Sequence, residues 1–280
     1  MWCKLHRCAT AHAALRYNFA FDCKPPMISL PAAILQSLSL ADPSWQPALL
    51  KGLEALARVQ PAYLEALAAD IYLPTENRLF AAFALPLSEV RYVLVGEGPY
   101  PRAESATGYC FMDGAVGTLW SQGGLSKPVN KATSLRNFMK MLLVADGVLH
   151  PSDTGAAALA PIAAAASASG SIQTLAQLQA NMHACGFLLL NASLVFRPHV
   201  PPVQDARAWL PFLQTVLEAL LVREPAPTLV LWGKIAEQLK KLPETAKFPQ
   251  LASEHPYNLS FIEHAPMRAL FGPMKLLRAR

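Results

Sequence analysis

Four apolar runs of this sequence each end in residues that can bind a ligand. The runs span residues 91–95, 187–190, 228–232 and 250–253, and they are followed by residues 96–100, Asn191, Gly233 with Lys234, and residues 254–256. The Asn191 amide could read a planar hydrogen-bonding ligand, because it both donates and accepts. Short, continuously apolar runs are typical of buried parallel strands, whose carboxyl ends meet at one edge of the sheet. We therefore expect the polar residues to share one crevice.

The first of these segments, Gly-Glu-Gly-Pro-Tyr at residues 96–100, directly follows a predicted strand. Two glycines allow the backbone to approach a ligand closely and to expose its N–H groups. The segment is equally compatible with an ordinary strand-exit turn. Asn191 has two interpretations as well, because a buried amide can be satisfied within the core or can read a ligand.

The remaining candidates also have ordinary structural interpretations. His255 begins a proline-stiffened turn with Leu259 near its tip, but a lone histidine is usually structural and an exposed leucine needs no explanation. Phe111 suits a hydrophobic core as well as a stacking platform. Lys234 would ordinarily be a solvated surface charge.

Helical spacing of apolar residues separates the predicted strands. The segments with helical spacing span residues 30–40, 45–69, 134–144, 175–185, 206–222, 235–242 and 265–277. Ser134 is placed to cap the third of them. Pro43 and Pro61 are placed where helices begin or end. Strands that alternate with helices predict a doubly wound α/β protein, a three-layer α/β/α arrangement around a mostly parallel four-stranded sheet.

Two segments do not fit this alternation. We expect residues 1–26 to be a disordered extension that precedes a single domain at residues 27–280. Residues 145–173 are rich in Ala, Ser and Gly and lack bulky apolar side chains at their centre. We interpret this second segment as an insertion or mobile loop within the domain.

Composition excludes some classes of protein and leaves others open. The chain of 280 residues is 53% hydrophobic, but no apolar run predicts a membrane span. A net charge of +5 is compatible with an anionic partner without requiring one. The 5 cysteines show no paired spacing, which favours reduced, unligated thiols in a cytoplasmic protein.

Six motifs, in order and in strand context, resemble those of the uracil-DNA glycosylase superfamily from about residue 45 to the end. The most similar branch has Gly-Gln-Asp-Pro-Tyr-His as its first motif, where residues 96–101 read Gly-Glu-Gly-Pro-Tyr-Pro. The other matches are Gly-x-Cys-Phe at 108–111, Ser-Leu-x-Asn at 134–137, Leu-Leu-Leu-Asn at 188–191, Leu-Trp-Gly at 231–233, and a variant of His-Pro-Ser-Pro-Leu-Ser at 255–260.

The resemblance implies a DNA repair enzyme that rotates uracil out of single- or double-stranded DNA and hydrolyses its N-glycosidic bond. It implies catalytic roles for His255, Glu97 and Gly98. The base-binding residues would be Tyr100, Phe111 and Asn191, and the DNA-binding residues would be Ser134, Lys234, Leu259 and Ser260. It implies no cofactor and no metal, and we expect a monomer.

One departure from the family's motif bears directly on catalysis. Gly98 stands where the family has the aspartate that positions water, so we hypothesise that Glu97, or failing that Asp113, takes over this task. Two alternatives stay open. The protein could bind DNA or uracil with weak or absent turnover, or it could excise another deaminated base.

Overall fold

A four-stranded sheet, parallel throughout, lies at the centre of the protein. The computed structural model describes residues 29–168 and 170–280, so the extension predicted for residues 1–26 lies outside the described residues. The strands of the sheet are β1 (Tyr92–Gly96), β4 (Phe187–Asn191), β5 (Thr228–Trp232) and β6 (Gln250–Ser253). A separate antiparallel pair is formed by β2 (Trp120–Ser121) and β3 (Gly124–Leu125).

The order of the strands, β4-β1-β5-β6, creates a crevice at one edge of the sheet. The chain leaves β1 for β4 on one side and then crosses to β5 on the other side, so the direction of winding reverses between β1 and β5. Open α/β sheets bind their ligands outside the carboxyl ends of the strands at such a reversal. The fold therefore marks the place where a ligand site is expected.

Helices cover both faces of the sheet. They are α1 (Ala32–Gln36), α2 (Gln46–Val59), α3 (Tyr63–Ala68), α4 (Lys127–Lys131), α5 (Thr133–Ala145), α6 (Ala156–Ala168), α7 (Leu175–Ala184), α8 (Pro202–Leu221), α9 (Lys234–Leu239) and α10 (Ala265–Phe271). Helices α2 and α8 pack on one face, and α5, α7 and α10 pack on the other. Among the described helices, none combines the length and the apolar character that crossing a membrane requires.

Side chains alternate between two hydrophobic cores along β1, β4 and β5. The fourth run, β6, is an edge strand of the sheet, and its residues are exposed or half-buried, so the prediction of a buried strand was wrong there. In β1, Val93 and Val95 enter the core shared with α2 and α8, while Leu94 enters the core shared with α5 and α10. A strand that is buried on both faces has no position for a polar side chain until it ends, which explains the continuous apolar runs. The predicted three-layer α/β/α arrangement is confirmed.

The segment of helical spacing over residues 45–69 forms two helices, with the break at Pro61, a residue that we placed where a helix begins or ends. Helix α2 ends at Val59 and α3 begins at Tyr63, with Pro61 between them. Proline lacks the N–H of a helical hydrogen bond and disfavours helical geometry in the residue before it. Periodicity continues across the break, so spacing alone does not reveal it.

Ser134 does not cap α5. The helix begins one residue earlier, at Thr133, and Ala132 flanks it without a side-chain hydrogen bond. Ala132 also ends α4, so the short connection between the two helices determines where α5 starts. The Ser134 hydroxyl is consequently free of the capping role that we predicted.

We interpreted the Ala-rich segment at residues 145–173 as an insertion or mobile loop, but part of it is helical. It contains α6, which packs against β2 and β3, and its residues Leu159 and Ala163 are buried in the same core as α5. Alanine has the highest intrinsic helix propensity, and its small side chain allows a helix to lie close to its neighbours. The shortage of bulky residues therefore does not prevent packing.

Candidate active site

A cavity of about 290 Å³ opens at the carboxyl ends of the parallel strands. Its lining includes seven of the residues predicted for the site: Glu97, Gly98, Tyr100, Phe111, Ser134, Asn191 and His255. Leu94, Val95, Gly96, Cys110, Trp232 and Ile235 complete the wall. The three other predicted residues, Lys234, Leu259 and Ser260, do not line it.

Gly96 allows the Asn191 amide to reach the cavity. The two residues are register partners at the ends of β1 and β4. A Cβ atom at position 96 would lie 2.9 Å from Asn191 Oδ1 and 2.8 Å from Cys110 Cβ, closer than real side chains pack. Only glycine therefore permits this approach.

The Asn191 side chain has a hydrogen-bond acceptor that the described part of the chain leaves unpaired and that a ligand could use. The residue is 3% exposed, and its Oδ1 atom accepts no hydrogen bond from the described residues. Most buried polar atoms in folded proteins have a hydrogen-bond partner, and an unpaired one is costly. An unpaired acceptor that faces a cavity favours the ligand-reading interpretation over the satisfied core amide.

Phe111 presents a ring to the cavity in a strained backbone conformation. Its φ is +66°, a left-handed value that bulky residues rarely adopt. The ring packs edge-on against Phe138 at 5.3 Å and Trp232 at 5.1 Å between centroids. These contacts hold the ring in place, and strain of this kind is concentrated at functional sites.

The Tyr100 hydroxyl keeps its proton. Burial, followed by the nearby carboxylate of Asp113, raises the pKa of Tyr100 to about 12. The ring therefore forms an uncharged, bulky part of the wall at neutral pH.

The structure defines which nitrogen of His255 can donate. The Tyr257 N–H donates to His255 Nδ1 over 3.1 Å, so Nδ1 is an acceptor and the proton of the neutral ring lies on Nε2. Burial lowers the pKa of His255 below its ordinary value, although the negative charge of Glu97 opposes this effect. A neutral imidazole with a free Nε2–H results.

Gly233 brings the end of β5 close to His255. Its φ is +65°, and its N–H donates to the Ser253 carbonyl over 2.9 Å. A Cβ atom at position 233 would lie 2.9 Å from His255 Cβ. The glycine of the Leu-Trp-Gly motif thus allows the carboxyl ends of β5 and β6 to approach each other closely.

Asn137 holds the turn that follows β6, a role that the sequence did not reveal. The side chain is fully buried, and its Nδ2 group donates to the Pro256 carbonyl over 2.8 Å and to the Tyr257 carbonyl over 3.1 Å. The Arg136 Nε group in turn donates to Asn137 Oδ1 over 3.3 Å. Helix α5 therefore positions the segment that carries His255 and Leu259.

The acidic candidates differ in their position. Glu97 is exposed and lines the cavity. Asp113 does not line it: its Oδ1 atom accepts the Ala115 N–H over 2.9 Å, and its Oδ2 atom lies 3.6 Å from Arg102 NH2. The geometry leaves Glu97 as the carboxylate of the cavity.

Of the three predicted DNA-binding residues outside the cavity, one is adjacent in the sequence to a residue that lines it, and two lie in the turn after β6. Lys234 is exposed and begins α9 directly after Gly233. Leu259 is 67% exposed and is followed by the exposed Ser260. Both belong to the turn that Asn137 holds. Within the part of the chain that the structure describes, no group of three His, Cys, Asp or Glu side chains could hold a metal ion.

The whole described fold is similar to known proteins. No family model matches the chain. A uracil-DNA glycosylase of Nocardioides sp. is 30% identical over 241 residues, which cover 86% of this chain and 87% of the relative. One of Mycobacterium avium is 28% identical over 241 residues, with coverages of 86% and 89%.

A solved structure agrees with these relatives. The wild-type UNG crystal structure from Nitratifractor salsuginis superposes with a TM-score of 0.80 at 42% sequence identity, covering 88% of this chain and 97% of that one. The sequence similarity, the fold and the cavity at the carboxyl ends of the strands lead to one assignment. The chain belongs to the uracil-DNA glycosylase family, whose members are hydrolases of N-glycosyl bonds.

Proposed function

We propose that this protein excises uracil from DNA by hydrolysing its N-glycosidic bond and leaving an abasic site. The observation that carries the proposal is the unpaired, buried Asn191 oxygen in a cavity that also contains Phe111, Tyr100 and His255. An amide, a stacking ring, a bulky wall and a hydrogen-bond donor are the groups needed to hold a pyrimidine and to withdraw electrons from it.

The base must first leave the helix to reach the cavity. Rotating a nucleotide out of the stack costs a few kcal/mol, which contacts to the distorted strand must supply. Leu259, exposed on the turn held by Asn137, would fill the gap in the stack. Ser134, Lys234 and Ser260 would hold the phosphates of the bent strand.

Base recognition would depend on three side chains. Phe111 would stack on the ring, and the Asn191 amide would face uracil O4 and N3–H. Cytosine presents the opposite pattern of donor and acceptor there, and an oriented amide discriminates by about 1–3 kcal/mol. Tyr100 would occupy the space next to C5 and exclude the methyl group of thymine.

Cleavage would depend on stabilising the departing base. As the glycosidic bond breaks, negative charge develops on uracil O2 and positive charge develops on the sugar. The His255 Nε2–H, with the backbone N–H groups of Glu97 and Gly98, would donate to O2. Donors preorganised in this way lower the barrier because they need no reorientation during the reaction.

Glu97 would orient the attacking water and balance the positive charge of the sugar. It is the carboxylate that lines the cavity, whereas Gly98 has no side chain and Asp113 is turned toward Arg102. The water becomes the nucleophile, and its proton passes to the carboxylate as the new C–O bond forms.

Replacing Asn191 by leucine tests base recognition. We expect single-turnover excision to fall about 5-fold to 150-fold, the equivalent of about 1–3 kcal/mol. The free energy of unfolding, measured with urea, should not fall, because leucine has a similar shape and removes a buried acceptor that the described residues leave unpaired.

Asn181→Leu is the matched control for this substitution. Asn181 is also buried, but its Nδ2 group donates to the Leu276 and Arg278 carbonyls, both over 2.7 Å. Its loss should destabilise the fold by about 1–3 kcal/mol. If Asn191→Leu destabilised the protein as much as Asn181→Leu, Asn191 would be a structural amide.

Asn137 should act as a positioning residue. Asn137→Asp replaces the donor to the Pro256 and Tyr257 carbonyls by an acceptor, so the turn should lose its anchor. We expect excision to fall about 10-fold or more, with destabilisation of about 1–3 kcal/mol. Asn181→Asp should destabilise to a similar extent while excision at a temperature well below unfolding stays unchanged. Equal excision rates for Asn137→Asp and Asn181→Asp would argue against a positioning role for Asn137.

A uracil-specific cleavage assay tests the proposal itself. A labelled oligonucleotide that contains one uracil is incubated with the protein and then treated with hot alkali, which cuts the strand only at abasic sites. We expect cleavage at the uracil position with the wild type.

The second candidate function is binding without turnover, which the glycine at position 98 favours because it removes the family's acid. A retarded band in a gel-shift experiment, without alkali-sensitive sites at any enzyme concentration, would support this candidate and refute excision.

A further inference from the structure

We propose that Tyr257 is a second DNA-contacting side chain beside Leu259, and that its ring stacks on a nucleobase next to the rotated-out uracil on the same strand. The inference rests on the proposed function and adds to it a contact that the family's motif does not contain. Residues 255–260 read His-Pro-Tyr-Asn-Leu-Ser, whereas the motif that they resemble has serine at the position of Tyr257. The tyrosine is therefore a feature of this chain and not of the motif.

The Tyr257 side chain differs from the other described tyrosines because it projects into solvent. It is 66% exposed, whereas the tyrosines at positions 63, 72, 92, 100 and 109 are half-buried. Tyr63, for example, donates its hydroxyl to Asp205 over 2.6 Å. Within the described residues, the Tyr257 ring packs on no other aromatic ring, and its hydroxyl forms no hydrogen bond. Both faces of the ring are thus open to a partner.

The backbone of Tyr257 is held by hydrogen bonds on both sides of the side chain. Its N–H donates to His255 Nδ1 over 3.1 Å, and its carbonyl accepts from Asn137 Nδ2 over 3.1 Å. The Asn258 N–H closes the turn by donating to the His255 carbonyl over 2.9 Å. The entropy of ordering this backbone is therefore lost on folding and not on binding DNA. The turn presents an exposed ring from a fixed position.

Tyr257 lies midway between a cavity residue and the residue proposed to fill the stack. His255, which lines the base cavity, is two residues before it, and Leu259 is two residues after it. Two residues of chain span at most about 7 Å. This is the height of about two steps of stacked bases. With Leu259 in the gap that the uracil leaves, the Tyr257 ring can reach a base that borders the gap.

The neighbours of Tyr257 indicate which strand its ring would meet. His255 would contact the rotated-out base and Leu259 would occupy the gap, and both belong to the strand that carries the uracil. A ring between them is expected to meet a base of that same strand, and not the base opposite. An aromatic face can stack on any base, whereas an uncharged phenol adds little to the attraction of phosphates.

Binding to DNA that contains a single tetrahydrofuran residue, an abasic analogue with no base to excise, tests the proposal. Dissociation constants for the single-stranded and the duplex form are measured with the wild type, Tyr257→Phe and Tyr257→Ser. Phenylalanine retains the ring without the hydroxyl, and serine retains a hydroxyl without the ring. The control is Val222→Ser, because Val222 is 85% exposed and lies between α8 and the amino end of β5, whereas the cavity opens at the carboxyl ends of the strands.

We expect Tyr257→Ser to raise the Kd for both the single-stranded and the duplex DNA by about 5-fold to 150-fold, the effect typical of one lost base–aromatic stack. Tyr257→Phe and Val222→Ser should match the wild type. The slope of log Kd against log salt should be the same for all four proteins, because stacking releases no counterions. The free energy of unfolding of Tyr257→Ser should equal that of the wild type, since the side chain is exposed.

An unchanged Kd for Tyr257→Ser would overturn the proposal. A loss of affinity confined to the duplex would also overturn it, because the ring would then lie on the base opposite the uracil. An equal loss in Tyr257→Phe would assign the contact to the hydroxyl and contradict stacking. Because Kd is measured without turnover, the expected loss in a protein that does not excise uracil would support the stack and refute only the glycosylase.

Discussion

Replacing His255 by alanine should slow single-turnover uracil excision by about 10²–10³-fold. The substitution removes the Nε2–H donor, and the loss of one preorganised donor to a developing oxyanion typically has this effect. The substitution also removes the acceptor of the Tyr257 N–H, but that group lies in an exposed turn, and Asn137 continues to hold the Pro256 and Tyr257 carbonyls, so the turn should keep its conformation. The measurement is the rate of excision under enzyme excess, with the free energy of unfolding as a check.

Two further variants make this prediction specific. His255→Gln retains a side-chain N–H, and we expect it to recover part of the rate. His150→Ala alters an exposed histidine that is hydrogen-bonded to Ser152 and does not line the cavity, and it should leave the rate unchanged. A rate for His255→Ala equal to that of the His150 control would remove His255 from the mechanism.

Glu97→Gln should slow excision by about 10²–10⁴-fold, the usual effect of losing a general base. The amide cannot accept the proton of water or balance the positive sugar. Since Glu97 is exposed, we expect no change in the free energy of unfolding. Glu89→Gln, an exposed glutamate that precedes β1 at the opposite edge of the sheet, is the matched control and should have the wild-type rate.

Restoring an acid at position 98 tests whether Glu97 has taken over the task. A Cβ atom on Gly98 would meet the Ser193 carbonyl oxygen at 3.6 Å and Ser193 Cβ at 3.7 Å, which are ordinary contacts. An aspartate therefore fits. We expect the double variant Glu97→Gln with Gly98→Asp to excise uracil faster than Glu97→Gln alone, because the new carboxylate recovers part of the lost rate. A Glu97→Gln variant with the wild-type rate would refute the role of Glu97.

The sheet and its crevice could be predicted from the sequence because buried parallel strands leave a local signal. The runs that became β1, β4 and β5 are apolar after their first residue and are followed by a glycine, an asparagine or a Gly-Lys pair. Once the strands are taken as parallel, the convergence of their polar ends follows from geometry. Asn191, Tyr100 and His255 consequently line the cavity, as predicted.

Features that depend on contacts between distant segments could not be predicted. Asn137 and the Pro256 carbonyl that it holds are 119 residues apart in the sequence, and nothing near either residue indicates the pairing. The start of α5 was misplaced by one residue for a local reason, because the short helix α4, which we did not predict, ends at the residue that flanks α5.

Membership of the family rests on sequence similarity and on the fold, whereas the Gly-Glu-Gly-Pro-Tyr-Pro motif and the role of Glu97 rest on residues of this chain. Water activation by Glu97 and the similarity to the Gly-Gln-Asp-Pro-Tyr-His branch therefore stay predictions.

The identity of the released base tests the central claim most directly. Duplexes that contain a single uracil, hypoxanthine, xanthine, thymine or cytosine are incubated separately with the wild-type protein, and the free bases are identified by mass spectrometry. We predict free uracil in an amount equal to the abasic sites formed, with no thymine or cytosine, because of Tyr100 and Asn191. Release of a different base, or no free uracil from DNA that the protein binds, would contradict the proposed function.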